Sequence, residues 1–243
     1  MNPRQQLRQD IRRKRRALTR TEQLRAAKRL HAQLCRRPEF IRARHVALYL
    51  PNDGEIDPRP LLESCWKMGK KTYLPVLHPI LHNRLWFVPF DRNTKLVRNI
   101  YKIEEKKAVI QFLEYIKNSV IVAHHAAFDV EMINKALIRL ELPKLKNKVL
   151  DTGILYKKAP RRPPWALDLV LLPLVAFDAN GNRMGMGGGY YDRTFSFKSR
   201  GQSIPGPKLI GLAHELQRVD RLPVENWDIP LAGIISDQAS YLG

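Results

Sequence analysis

Hydrophobic and polar positions along this chain alternate between helical and extended periods. Residues 5–16 spell a helix whose exposed face is almost entirely cationic. The run His45-Val46-Ala47-Leu48-Tyr49-Leu50 reads as a buried strand ended by Pro51. Asp57 then caps a helix with Pro58 at its first position; Leu61, Leu62, Cys65 and Trp66 lie along it and Gly69 closes it. Residues 72–77 and 85–90 are further strands. The Leu- and Val-rich run 167–175 is apolar on both faces, as a central strand of a covered sheet is. A turn at Ala179-Asn180-Gly181, a glycine-dense loop and a helix opened by Tyr190, Tyr191 and Asp192 follow it. Such alternation predicts an α/β sheet with helices on both faces. Ligands of these sheets sit beyond the carboxyl ends of the strands, where Asn52-Asp53-Gly54-Glu55-Ile56-Asp57 falls.

The glycine loop is the strongest chemical signal. Gly185, Gly187, Gly188 and Gly189 lack Cβ atoms, so consecutive backbone N–H groups can close around phosphate oxygens. The helix behind them adds a favourable dipole for an anion. Arg183 and Arg193 bracket the loop with positive charge, and Asp192 offers the hard oxygen that a phosphate-bound Mg²⁺ takes. The loop is neither G-x-x-x-x-G-K-[ST] nor a full G-x-G-x-x-G fingerprint, so those two nucleotide folds are not indicated. The alternative is a flexible turn between strand and helix, as most glycine clusters are. The flanking arginines, paired tyrosines and strand-to-helix position favour phosphate binding. Glu55 also carries two readings, a solvated loop acid or a hydrogen-bond acceptor for a ligand amine.

Composition narrows the partners. A chain of 243 residues suits one large domain or two small ones, and a 44% hydrophobic fraction is enough for a core. The net charge of +20 implies a phosphate-bearing partner; nucleic acid, nucleotide and polyanionic cofactor all fit. Residues 1–44 hold 15 Lys or Arg against Asp10, Glu22 and Glu39. That helix is a solvated face, a nucleic-acid arm without aromatics for base stacking, or a scaffold on which Arg4 and Arg8, one turn apart, reach a nucleotide phosphate together. Cys35 and Cys65 lack metal-ligand spacing and read as reduced thiols of a cytosolic protein. No apolar run approaches the roughly 20 residues of a membrane span, and the N-terminus has no apolar signal core. A soluble, cytoplasmic protein is expected.

At this point several segments carry a family resemblance. YLPNDGEIDPRPLL, KTYLPVLHP, LDLVLLPLVAFDANGNRMGMGGGYYDR, and LIGLAHELQ with LPVENWDIPL resemble the 5-formyltetrahydrofolate cyclo-ligase family, over about residues 1–105 and 160–243. The resemblance implies a Rossmann-like α/β domain that converts 5-formyltetrahydrofolate to 5,10-methenyltetrahydrofolate with ATP and Mg²⁺. A monomer without nucleic-acid or membrane partners is expected. Arg4 and Arg8 would lie near the ATP phosphates, and Leu50, Glu55 and Glu105 on the folate, with Glu55 bonding the pterin. Arg183, Met184, Gly185, Met186, Gly187, Gly188, Gly189, Tyr190 and Tyr191 match the ATP loop, of which Met186 to Tyr190 also approach the folate. Arg183, Tyr190 and Tyr191 are the expected catalytic residues and Asp192 the Mg²⁺ ligand. A second acidic metal position of some members falls near residues 228–232, where Ala232 cannot ligate; Lys106 stands where the family has Pro. The chemistry fits these residue types. A formamide oxygen leaves poorly, so ATP must phosphorylate it before N10 attacks the formyl carbon, and the protein's task is to place and neutralise the transferring phosphoryl group.

Between those segments the chain changes character. Residues 100–158 hold ten of the 18 lysines but one of the 25 arginines, Arg139. Val109, Phe112, Leu113 and Ile116 mark an amphipathic helix, 120–123 a strand, 129–140 a second helix and 149–152 a short strand. The run VIVAHHAAFDVEMINKALIRLELPKLKNKVLDT resembles the middle of DEDD-type 3′–5′ exonucleases, with Asp129 at a metal-ligating Asp. That chemistry needs several carboxylates around two Mg²⁺ ions. The opening Asp-x-Glu and the closing His or Tyr with Asp are absent, and His124 and His125, adjacent in a strand, face opposite ways. The expected architecture is a Rossmann-like α/β sheet formed by 1–105 and 160–243, carrying at 106–159 an inserted αβαβ fragment without its own active site. Two other functions stay open, a nucleic-acid-binding or remnant exonuclease protein and an inactive chimeric scaffold.

Overall fold

The computed structural model describes residues 3–77, 84–94, 96–98, 104–106, 162–198 and 206–242. The elements expected over 109–152, with His124, His125 and Asp129, lie outside the described residues. Three helices, α1 (Pro3–Arg16), α2 (Arg20–Leu34) and α3 (Pro38–Arg42), precede β1 (His45–Ala47). After it come α4 (Arg59–Lys67), β2 (Lys71–Leu77), β3 (Leu85–Phe90), β4 (Leu96–Arg98) and β5 (Glu104–Lys106). The last part of the chain adds β6 (Leu169–Pro173), β7 (Ala176–Phe177), β8 (Arg183–Met184), α5 (Tyr190–Thr194), β9 (Lys208–Ala213), β10 (Gly233–Ser236) and β11 (Ser240–Leu242).

Seven strands form one sheet in the order β11-β10-β9-β6-β1-β2-β3. The five inner strands pair in parallel, and β3 and β11 close the edges antiparallel. Side chains on successive strand residues point to opposite faces, and β6 shows the consequence. Leu169 and Leu171 enter a core with Leu30 and Leu34 of α2, Leu61 and Cys65 of α4, Val46 and Ile210. Val170 and Leu172 enter a second core with Tyr73, Phe87, Leu209 and Phe195, against which Tyr190 and Tyr191 of α5 pack. The expected sheet with helices on both faces is therefore present. α2 begins on a full capping box, with Thr19 and Glu22 satisfying each other's backbone N–H.

Two local expectations shift. Pro58 is the N-cap of α4 rather than its first residue, and Asp57 Oδ1 accepts from Arg59 N at 2.9 Å. Proline has no N–H, so the first donor that Asp57 can satisfy belongs to Arg59. β1 stops at Ala47, although Leu48 and Tyr49 stay buried. Beyond it the sheet neighbours diverge, because the chain runs outward from β1 to β2 and β3 on one side and from β6 to β9, β10 and β11 on the other. That reversal of strand order opens a crevice between the carboxyl ends of β1 and β6.

Candidate active site

A cavity of about 1250 Å³ occupies that crevice. Single small-molecule sites span roughly 300–1,000 Å³, so there is room for two ligands side by side. One wall is the segment after β1, with Tyr49, Leu50, Asn52 and Glu55, backed by Leu74 and Leu77 of β2. The facing wall is the glycine loop from Gly185 to Asp192. Arg4, Arg8 and Arg12 of α1 close over the top, and Asn226, Trp227 and Asp228 form the rim.

The glycine wall is built on the β7–β8 hairpin. Asp178 is fully buried there; its Oδ1 accepts from Asn180 N and Asn182 N, and its Oδ2 from Asn182 Nδ2 and Leu222 N. Burial opposes its ionisation, but these donors outweigh it and hold the carboxyl below its ordinary value. Beyond β8 the backbone takes positive φ at Gly187 (99°) and Gly189 (62°). A Cβ on Gly188 would sit 2.6 Å from the Tyr190 ring, so close approach also requires glycine there. α5 has only five residues, which leaves its dipole a smaller part than expected and the loop N–H groups the larger one.

The cations around this loop are already paired. Arg183 Nη2 meets Asp192 Oδ1 at 2.5 Å, and the same oxygen accepts from Ile229 N at 3.3 Å. The Arg183 side chain is 7% exposed, and its Nε is buried without a hydrogen-bond partner. Arg8 Nε donates to Gly185 O at 2.9 Å, and Arg8 lies beside Gly187. Burial first and the charge of Arg4 second lower the Arg8 pKa. Arg4 pairs with Glu225 at 2.8 Å and with Asp228 at 3.7 Å. Arg12, Arg15 and Arg16 all reach Asp53. The N-terminal helix is thus neither a solvated cationic face nor a free nucleic-acid arm, since most of its guanidinium groups turn inward onto partners far along the chain. Arg4 and Arg8 line the same cavity as the glycine loop.

The opposite wall holds one acid. Glu55 Oε2 accepts from Asn52 N at 3.0 Å. Burial pushes its carboxyl up to about 7, with Arg15 pulling the other way. Tyr191 is raised as well, by burial and then by Glu55, so its phenol remains a donor. Leu50 lines this wall as expected. Met184 differs from the expectation: its side chain is 1% exposed and packs with Ile11, Val175 and Leu222, so it anchors the hairpin and does not line the cavity. On β8 it alternates with the cavity-lining Arg183, which forces it inward. Glu105 pairs with Val97 in the β4–β5 hairpin, and its side chain lies outside the described residues. Several lining residues went unread in the sequence, among them Tyr49, Leu74, Pro173, Leu174 and Trp227. The strand-end rule marks Tyr49, Pro173 and Leu174 but not Leu74, which lies in the middle of β2; nothing local marks Trp227, which is 67% exposed.

A mixed sheet with parallel inner strands and a strand-order reversal, and a glycine loop and arginines lining one cavity at the strand ends, define the class as an α/β protein. Within that class, the chain belongs to the 5-formyltetrahydrofolate cyclo-ligase family, whose sequence profile matches residues 1–131 and 136–237. The 5-formyltetrahydrofolate cyclo-ligase of Escherichia coli K12 is 33% identical over 226 residues, 93% of this chain and 96% of that protein. That of Haemophilus influenzae is 33% identical over 232 residues, 96% of each chain. The NMR structure of Aquifex aeolicus 5,10-methenyltetrahydrofolate synthetase shares the fold, with a TM-score of 0.65 at 23% identity over 98% of this chain and 92% of that one. The family match covers all of the segment read as inserted, 106–159, except residues 132–135.

Proposed function

We propose that this chain is an ATP- and Mg²⁺-dependent 5-formyltetrahydrofolate cyclo-ligase. The observation that carries the reading is the single cavity in which Glu55 faces the glycine loop and Arg183. In the reaction the formyl oxygen takes the γ-phosphoryl group of ATP and ADP leaves. N10 then adds to the formyl carbon, loses its proton to solvent, and the activated oxygen departs as phosphate. Glu55 accepts from the pterin N–H groups, over an apolar bed of Leu50, Leu74 and Leu77. Arg4, Arg8 and the loop N–H groups take the phosphates, while Tyr190 and Tyr191 offer phenol donors across the loop. Arg183 is the group best placed to follow the transferring phosphoryl, since a phosphate can draw it from Asp192.

Among the described residues no three His, Cys, Asp or Glu side chains form a metal cage. Mg²⁺ characteristically takes one or two carboxylates plus substrate phosphates, and Asp192 at the end of the phosphate loop fits that donor set. When bound, the ion supplies neutralisation of phosphate charge. Its retention should therefore depend on nucleotide.

The assay is formation of methenyltetrahydrofolate by the purified chain with and without ATP. ATP-dependent product is expected, and its absence would sink the reading. We further propose a cytoplasmic monomer; the free thiols Cys35 and Cys65 support the compartment. Among the described residues no helix is long and apolar enough to cross a membrane. The reading of 106–159 as an exonuclease-like insertion rests on its lysine-for-arginine bias and its resemblance alone.

A further inference from the structure

We infer that Asp53 is a positioning residue for Glu55: through it, three guanidinium groups of α1 clamp the turn that presents the folate-side carboxyl to the cavity. The inference rests on the role proposed for Glu55. Asp53 is the one non-glycine among the described residues with positive φ, at 54°, followed by Gly54 at 73°. Glu55 N donates to Asn52 O at 3.0 Å, closing a tight turn with both central residues left-handed. Aspartate tolerates that conformation better than most residues, but it persists only where the surroundings over-determine it.

The surroundings here are α1. Arg12 Nε and Arg15 Nη2 meet Asp53 Oδ2 at 2.7 and 2.9 Å, and Arg16 Nε meets Oδ1. Arg15 Nε also donates to the Asp53 carbonyl at 2.8 Å, and its Nη1 to Leu174 O at 3.3 Å. The Arg15 side chain is 0% exposed, so its charge has no solvent to fall back on and depends on Asp53. Gly54 presses against the helix end, where a Cβ would come within 3.0 Å of Arg15 O. Gln23 of α2 adds a bond to Gly54 O at 3.1 Å. The carboxyl of Glu55 is held by Asn52 N of the same turn, so the turn and the acid move as one unit. The helix that carries Arg4 and Arg8 over the phosphate loop thereby sets the place of Glu55 from its other end.

The charged and titratable groups around Glu55 are Arg12 and Arg15 of α1, Asp53 of its own turn, Tyr49 beyond β1 and Tyr191 of α5. Asp53 raises the Glu55 pKa and the arginines lower it. Asp53→Asn keeps the turn preference and the side-chain size but removes the charge, so Glu55 should titrate lower. The test is an NMR titration of the Glu55 carboxyl in the full chain, run beside cyclo-ligase kinetics on parent, Asp53→Asn, Arg16→Gln and Glu55→Gln. For Asp53→Asn the expected result is a Glu55 midpoint below that of the parent and a folate KM raised about tenfold, with ATP KM within about twofold. Arg16→Gln, which leaves the buried Arg15 pair, should raise the folate KM by less and, because it removes a positive charge, move the Glu55 midpoint slightly upward. An unmoved Glu55 titration, or equal changes in the two KM values, overturns the inference. Should Asp53→Asn fail to fold, Arg16→Gln decides by the same two readouts. A parent without cyclo-ligase activity, or a Glu55→Gln variant with unchanged folate KM, instead defeats the proposed function, and the titration still decides whether Asp53 governs Glu55.

Discussion

The two walls of the cavity handle charge in opposite ways. On the glycine wall the cations are ion-paired: Arg183 with Asp192 and Arg4 with Glu225. On the other wall Glu55 meets no ion pair of its own, and burial holds its pKa at about 7, so its charge depends on pH and on what lies against it. On the proposed function, one wall would recognise an anion by exchanging partners, and the other would recognise donors by presenting an acceptor already fixed in a turn. The difference teaches that substitutions on the first wall should act on phosphate chemistry, and those on the second on affinity and pH dependence.

The hardest break falls on the glycine wall. Gly187→Val places a β-branched residue at φ 99°, with its Cβ 3.6 Å from the Arg8 guanidinium carbon. ATP-dependent turnover should fall by at least about a hundredfold while the thermal melt stays near the parent's. An ATP KM unchanged in that variant would remove the loop from the site. Asp192→Asn keeps size and removes the charge that attracts Mg²⁺ and holds Arg183. Turnover at saturating Mg²⁺ should drop roughly thirtyfold to a hundredfold, while Asp129→Asn stays at the parent level. The reverse ranking would favour the nuclease-like reading.

Glu55→Gln sharpens the contrast between the walls. In the parent, kcat/KM for the folate should rise as pH increases through about 7, because the ionised acceptor accumulates, and then level off. The glutamine variant should show a lower, flat profile. Stability should run the other way. A carboxyl raised from 4.5 to about 7 by folding contributes stability that is present below 4.5 and lost as pH climbs through 7. Glu55→Gln should therefore melt higher, relative to the parent, at pH 8 than at pH 5, and calorimetry showing the same difference at both would contradict the burial assigned to Glu55. The smallest effect is expected from replacing residues 106–160 with a short linker, which should leave activity at or above the parent level. Loss of a robust activity on that deletion would make the segment integral to the enzyme.

Much of this was legible along the chain. The apolar run at 169–173, the glycine loop, and Glu55 just past a strand are local signals, and each lands on the cavity or beneath it. The errors share one cause. Met184 stood inside a phosphate-loop motif and faces the core, because strand alternation beside Arg183 decides which side chain turns outward. Within the α1 charge run only Arg4 and Arg8 stand apart in the sequence, yet Arg15 is wholly buried and Arg13 is 81% exposed.

What the amino-acid order determined by itself is therefore α1, β1, α4, β2, β3, β6 and the start of α5, the glycine loop, and the candidate residues, since periodicity, glycine content and strand ends act over a few neighbouring positions. Only the tertiary structure decided who faces whom. Asp53 lies 38 residues from Arg15, and Arg4 lies 221 from Glu225. Pairings across such distances follow from the sheet order that brings β1 beside β6 and lays α1 across both, and the energy of an ion pair depends on that geometry and its burial rather than on the residue types alone.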